Sequence, residues 1–280
     1  MSIARGSCAI AGAALLAALV ACATPRGDRP RAGATRGARG VRLADLTWVE
    51  AEKVLRPETV VVIPIGAAAK EHGPHLRLDN DLTLAEYFGR RVLEAEDVVL
   101  APTIGYHFYP AFVEYPGSTT LSLETARDLV VEVCESLARH GPRRFYALNT
   151  GISTVRALAP AAERLAAEGI LLRYTDLARL ALVEKEVCRQ EAGSHADESE
   201  TSMLLYIDPA RVDMPKAVKD CDTTRKGRLT RDANGEGIYS PTGTWGDPTL
   251  ATREKGRKLC EALVRILLQE IEDLRRAALP

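Results

Sequence analysis

The sequence predicts a single α/β domain, a three-layer α/β/α sandwich in which helices cover both faces of a mostly parallel sheet. Three observations predict it. Apolar, β-rich runs alternate with segments of helical periodicity. Most connections between them are short. The first strong run, Val60-Val61-Val62-Ile63-Pro64-Ile65, is apolar without interruption, as expected of a strand buried on both faces.

The elements follow in order. Residues 60–65 form the first strand, which ends at Gly66. Residues 82–94 read as a helix and residues 98–101 as the second strand. Over 123–138 the apolar positions Val130, Val133 and Leu137 recur at helical spacing. Residues 145–148 are a third strand and 155–168 the helix after it. Residues 170–174 are a fourth strand, 178–187 a further helical stretch, and 252–277 the last helix. Residues 208–249 lack a regular pattern and are rich in Lys, Arg, Gly and Asp. Loops this long are commonly functional or covered by a partner.

A chain of 280 residues with 46% hydrophobic and 27% charged residues has the composition of a soluble globular protein. A net charge of -1 leaves no electrostatic footprint for nucleic acid. No G-x-S-x-G elbow, P-loop or dinucleotide glycine pattern occurs, which argues against a serine hydrolase or a nucleotide enzyme.

Residues 1–22 read as a targeting segment, with Arg5 before an apolar stretch at 9–20 that is too short to span a bilayer. Leu19-Val20-Ala21-Cys22 resembles a bacterial lipobox, which would make Cys22 the lipidated N-terminus. A plain secretory peptide cleaved near Ala23 and an uncleaved anchor are the alternatives. Residues 23–42, rich in Arg, Pro and Gly, read as a disordered tether, and the domain is expected over 43–280. The expected location is the bacterial cell envelope, membrane-anchored and facing the periplasm or the exterior. Of the cysteines beyond this segment, Cys134 and Cys260 fall on apolar helical faces and are expected to be buried thiols. Cys188 and Cys221 lie in more polar segments and could pair in an oxidising compartment.

The chemistry concentrates after the first strand. Glu71-His72-Gly73-Pro74-His75-Leu76, with Asp79 and Asp81, packs carboxylates and imidazoles into a short stretch. Such donors suit zinc, manganese or iron, and a bridging Asp can hold two ions. Open α/β sheets also bind ligands at the carboxyl ends of their strands.

These residues resemble the metal motif of the creatininase (creatinine amidohydrolase) family, P-x-G-S-x-E-x-H-G-x-H-L-P-x-x-x-D. His195-Ala196-Asp197-Glu198-Ser199-Glu200-Thr201-Ser202 resembles that family's H-A-G-E-x-E-T-S. Trp245-Gly246-Asp247-Pro248, with Ala251-Thr252 and Glu254-Lys255-Gly256, resembles its G-D-P-x-x-A-T-x-E-x-G tail. The resemblance runs from about Leu43 to the C-terminus and implies a creatininase-like fold. It implies Glu71, His72, Asp81 and Glu200 as metal ligands, with His195 and Glu198 in acid-base roles. The cofactor would be one or two divalent ions, zinc foremost, with manganese or iron as alternatives. The reaction would be hydrolysis of a cyclic or linear amide of a small nitrogenous molecule by water activated at the ion. The assembly would be a homo-oligomer, a hexamer by resemblance. His75 would support the ligands, and Trp245 would cover the substrate.

Two departures qualify this reading. Lys70 stands where the family has its Glu, and Glu71 is shifted next to His72. Adjacent residues of an extended chain point opposite ways, so Glu71 needs a kink or bulge to join His72. The alternative is that Lys70 enters the site and replaces one cation's charge. In addition, Gly151 falls where the family has a metal-binding His. The site then holds one metal, or His107 or Glu114 substitutes, or catalysis is lost. The last option corresponds to a noncatalytic, lipid-anchored binding or scaffold protein.

Overall fold

A computed structural model of the chain describes residues 37–280. The targeting segment, the lipobox-like stretch with Cys22, and the tether up to residue 36 lie outside the described residues.

Strands β1 (Val41–Arg42), β2 (Val60–Ile65), β3 (Val99–Leu100), β4 (Arg144–Asn149) and β5 (Leu171–Tyr174) form one sheet in the spatial order β1-β3-β2-β4-β5. Every neighbouring pair is parallel. β2 is central and all six of its residues are buried. It pairs with β4 from Val60 opposite Arg144 to Ile65 opposite Asn149.

The uninterrupted apolar run resolves into alternation between two cores. Val60 and Val62 of β2, with Tyr146 and Leu148 of β4, face a layer made by α2 (Asn80–Ala95), α5 (Leu177–Val187), α6 (Glu198–Ile207) and α7 (Arg253–Arg276). Val61, Ile63, Ile65, Phe145 and Ala147 face α1 (Trp48–Val54), α3 (Leu123–Ala138) and α4 (Val155–Ala166) on the other side. Both faces are covered, so no position along β2 tolerates a polar residue. The predicted three-layer α/β/α sandwich is the fold, and the sheet is parallel throughout.

The topology places the site. β2 leads through α2 to β3 on one face, whereas β4 leads through α4 to β5 on the other. The chain thus departs in opposite directions from the adjacent carboxyl ends of β2 and β4. A crevice opens between connections that diverge in this way.

Several elements differ from expectation. β1 lies at the end of the segment read as tether and pairs with β3. α1 begins at a capping box in which the Thr47 hydroxyl accepts from Glu50 N and Glu50 Oε2 accepts from Thr47 N at 2.8 Å. α6 was not expected either. Residues 208–249 contain 3-10 turns and a short parallel pair, β6 (Leu229–Thr230) with β7 (Ile238–Tyr239). Cys188 and Cys221, whose pairing the sequence left open, are free thiols: Cys221 Sγ meets Ala192 O at 3.5 Å. Cys134 and Cys260 are buried thiols as expected. Among the described residues no helix is long and apolar enough to cross a membrane.

Candidate metal centre

The loop after β2 is held from several sides. A Cβ on Gly66 would lie closer than 3.0 Å to Asp81 O, so glycine is what lets the start of α2 rest against the end of β2. Ala68 N donates to Gly105 O at 2.8 Å, Thr119 N to Ala69 O at 2.9 Å and Lys70 N to Leu78 O at 3.0 Å. Glu71 N donates to Ser118 Oγ at 2.9 Å. This irregular backbone turns three consecutive side chains inward, which an extended strand cannot do.

Lys70 Nζ lies 2.7 Å from Asp81 Oδ2, with the two side chains only 6% and 1% exposed. The ammonium also sits 4.6 Å from the Phe112 ring centroid and 5.8 Å from that of Tyr109. Glu71 Oε2 accepts from Gly73 N at 2.8 Å, while Oε1 lies 2.6 Å from His195 Nε2. His72 Nδ1 lies 2.9 Å from Lys70 O, and its Nε2 lies 2.8 Å from Asp81 Oδ1.

The second half of the site comes from the start of α6. Asp197 caps that helix, its Oδ1 accepting from Ser199 N at 2.9 Å and Glu200 N at 3.1 Å. Ala196, just before the cap, has φ +48°, a left-handed conformation costing a non-glycine residue about 1–2 kcal/mol. Its N–H donates to Glu200 Oε2 at 2.6 Å. The His195 backbone is clamped by Trp245: Trp245 N donates to His195 O at 2.9 Å and Trp245 O accepts from Ser194 N at 3.0 Å. Trp245 therefore positions His195 through its backbone. Gly243, at φ +79°, packs so tightly on Glu71 Oε2 that any Cβ there would clash. The C-terminal end of the long irregular segment is thus part of the wall of the site.

Among the described residues, His72, His195 and Glu200 offer one ligand atom each, all within 4.8 Å of one another. Their hydrogen bonds settle which atoms these are. A carbonyl only accepts, so His72 Nδ1 carries the proton that bonds Lys70 O, and in the neutral ring Nε2 then holds the lone pair. His195 Nε2 faces two acceptors, Glu71 O and Oε1, which leaves Nδ1 free 3.9 Å from Glu200 Oε2. A carboxylate or carbonyl behind each imidazole is the usual way a ligating histidine is oriented. His72 Nε2 then presents a lone pair to Asp81 Oδ1, and two acceptors so close require a proton or a cation between them.

The charges agree. Burial pushes Glu200 up to about 7, and the Asp81 charge adds to the rise while His195 opposes it. Burial also opposes ionisation of Asp81, yet Lys70 and His72 hold its carboxyl well below the usual carboxylate range. Glu200 lacks the positive partner that Asp81 has. Two imidazole nitrogens and a carboxylate oxygen converging on one point fit zinc, manganese or iron.

The structure groups the expected residues differently. His195, read as an acid-base residue, groups with His72 and Glu200. Asp81 does not join that group, because its Oδ2 belongs to Lys70. Glu71 backs His195. Glu198, the other residue read as acid-base, faces away: Oε2 accepts from Arg189 N at 2.7 Å and Gln190 N at 2.6 Å, and Oε1 pairs with Lys255 Nζ at 2.5 Å. It ties α5, α6 and α7 together. His75 Nε2 meets Thr201 Oγ1 at 2.8 Å; burial first, then His72, lowers its pKa to about 4, so the ring stays neutral. His107 is buried apart from the cluster, and burial brings it to about 4 as well. Glu114 accepts from Thr230 Oγ1 at 2.8 Å and Arg231 N at 2.9 Å, anchoring β6. Among the described residues, neither His107 nor Glu114 belongs to the group of His72, His195 and Glu200. Sequence reasoning missed Tyr109, Phe112, Ser118 and Gly243, whose one signal is their position on long loops.

Comparison with known proteins places this geometry. The sequence profile of the creatininase (creatinine amidohydrolase) family matches residues 44–271. The mycofactocin precursor peptide peptidase of Mycobacterium tuberculosis is 31% identical over 226 residues, spanning 73% of this chain and 81% of the relative. The creatinine amidohydrolase of Pseudomonas putida is 26% identical over 262 residues, spanning 86% and 98%. A solved structure described as Creatininase Mn aligns with a TM-score of 0.71 at 23% identity, covering 85% of this chain and 100% of that one. A creatininase variant of Zn-Zn type aligns at 0.69 and 24%, covering 86% and 100%. The profile match along nearly the whole domain and the 31% identical relative agree, and the chain belongs to the creatininase family.

Proposed function

We propose that this chain is a metal-dependent hydrolase that cleaves an amide C–N bond of a small nitrogenous molecule. The observation that carries the reading is the convergence of His72, His195 and Glu200 within 4.8 Å, with both ring tautomers set from behind. Membership of a family whose relatives are named as a peptidase and an amidohydrolase supports hydrolysis. The manganese and zinc named for solved relatives support a divalent ion. Such an ion supplies Lewis acidity and lowers the pKa of water toward neutrality.

The protein's own contribution is positional. Glu71 and the Lys70 carbonyl orient the two imidazoles. Asp197 and the strained Ala196 hold Glu200 and His195 at the start of α6. Phe112, its ring centroid 4.2 Å from that of His195, shields one side of the site from water. The Tyr109 hydroxyl is buried and has no hydrogen-bond partner among the described residues; burial, then the Asp81 charge, raises its pKa, so it remains an O–H donor for a substrate carbonyl or nitrogen.

The test is hydrolysis of a panel of cyclic amides, linear amides and short peptides, before and after chelation and with zinc or manganese restored. Turnover of a small amide that disappears on chelation and returns with metal supports the reading. Turnover of peptides alone would move the substrate class to that of the peptidase relative. Metal-loaded protein inert toward the whole panel favours a noncatalytic binding or scaffold role, for which the Lys70–Asp81 pair is the motivating observation.

We further propose that the domain is exported and anchored to the envelope membrane through Cys22, on the strength of Leu19-Val20-Ala21-Cys22. It would act as a homo-oligomer, a hexamer by family resemblance. Cys22→Ala should release the chain from the membrane fraction, and light scattering should give a multiple of the mass of the processed chain. Membrane retention of the variant, or a monomer, would overturn the respective reading.

A further inference from the structure

The Lys70 side chain is the least expected member of the site. It is 6% exposed and enters a pocket already holding Glu71, His72, Asp81, His195 and Glu200. Its ammonium is surrounded by Asp81 Oδ2 at 2.7 Å and by the faces of Phe112 and Tyr109. An ammonium donates hydrogen bonds but has no lone pair with which to bind a metal. Whatever volume it fills beside Asp81 Oδ2 is closed to a second cation.

The charges lead to the same place. The pocket holds three carboxylates, those of Glu71, Asp81 and Glu200. Both histidines are neutral when they present a lone pair. One ammonium and one divalent ion balance three carboxylates. Two divalent ions beside the ammonium would leave two positive charges uncompensated in a nearly dry pocket, which is strongly unfavourable.

We propose that Lys70 is a built-in cation that takes the place of a second metal ion, so that the centre holds a single divalent ion at His72, His195 and Glu200. Asp81 then faces an ammonium where a second ion would lie: Oδ2 belongs to Lys70, and Oδ1 lies 2.8 Å from His72 Nε2. The absence of an imidazole at Gly151 is consistent with this. A Cβ there would meet Thr154 Cγ2 at 3.6 Å, Tyr109 Cε1 at 3.8 Å and Thr154 Oγ1 at 4.0 Å, ordinary contacts, so the glycine is not needed for space. A ligand on that side has no cation to hold while Lys70 is in place. The inference rests on the metal-dependent reading above and narrows it to a one-ion site.

The test is metal content, which does not depend on activity. The purified chain is saturated with Zn²⁺ or Mn²⁺, freed of excess ion, and measured for metal per chain. The wild type should retain about one equivalent, as three donors of this kind hold one ion. Two equivalents with Lys70 intact would overturn the inference while leaving the hydrolase reading in place. No retained ion would overturn the metal-dependent reading itself. Lys70→Glu replaces the ammonium with a ligand beside Asp81 and should raise the count to about two. Gly151→His alone should stay at about one, because Lys70 still occupies Asp81. A folded Lys70→Glu chain that keeps one ion, or a Gly151→His chain that takes up two, would overturn the role of Lys70. The wild-type and Gly151→His counts decide the matter even where Lys70→Glu fails to fold.

Discussion

Glu71→Gln separates a residue that orients a ligand from one that is a ligand. Both carboxylate oxygens are in use: Oε1 takes His195 Nε2–H at 2.6 Å and Oε2 takes Gly73 N–H at 2.8 Å. Glutamine has one acceptor oxygen. Whichever way its amide turns, one of those N–H groups meets an NH₂. Where the NH₂ faces His195, the ring loses its carboxylate partner and keeps only the Glu71 carbonyl at 3.0 Å, which loosens the aim of Nδ1 toward Glu200. Loss of such a partner typically weakens metal binding by about 10–100-fold, or about 1.4–2.8 kcal/mol. The Glu71 backbone bond to Ser118 Oγ is untouched, so the loop should keep its course. Competition for Zn²⁺ against a chromophoric chelator reads the affinity directly. Unchanged affinity would refute the orienting role. Complete loss of zinc would show that Glu71 is itself a ligand.

Three further outcomes follow from the same structure. Gly256→Ala places a Cβ closer than 3.0 Å to Ser202 O, where α6 and α7 touch backbone to backbone; it should cost about 1–3 kcal/mol or more in urea denaturation, and an unchanged midpoint would refute that contact. Glu198→Gln should lower stability by up to about 3 kcal/mol by breaking a buried pair with Lys255 and leave zinc affinity intact, whereas full stability with lost hydrolysis would make Glu198 an acid-base residue after all. His107 falls from 6.5 to about 4 on burial. Its folded form is neutral, so the unfolded chain binds the extra proton: this contribution is complete above pH 6.5 and is lost as pH falls toward 4, to a limit of about 3 kcal/mol. His107→Leu should flatten that part of the pH dependence, and a wild-type-like decline in the variant would refute it.

The parts of the fold that could be read in the sequence were those set by local composition. β2 declared itself because a strand buried on both faces needs apolar residues at every position, and Val60 to Ile65 supply them. α1 was legible in principle, since Thr47 and Glu50 are a capping box written in sequence, but its seven residues are too few for periodicity to stand out. α6 was obscured because its buried residues include Ser199, Thr201 and Ser202, which carry no hydrophobic signal. At the site, His72, Glu200 and His195 were identifiable by type and motif. Their grouping was not, because it depends on which ring nitrogen each neighbour claims. The inward turn of Lys70 depends on bonds to Leu78, Ala69 and Ser118 that no local pattern encodes.

Anomalous scattering at the zinc edge from crystals grown with Zn²⁺ locates the ion without reference to activity. The account predicts one peak about 2.0–2.2 Å from His72 Nε2, His195 Nδ1 and a Glu200 carboxylate oxygen, with Lys70 Nζ still on Asp81 Oδ2. A peak bound instead by Asp81 Oδ2 and Glu71 with Lys70 displaced, or no peak among these residues, would contradict it.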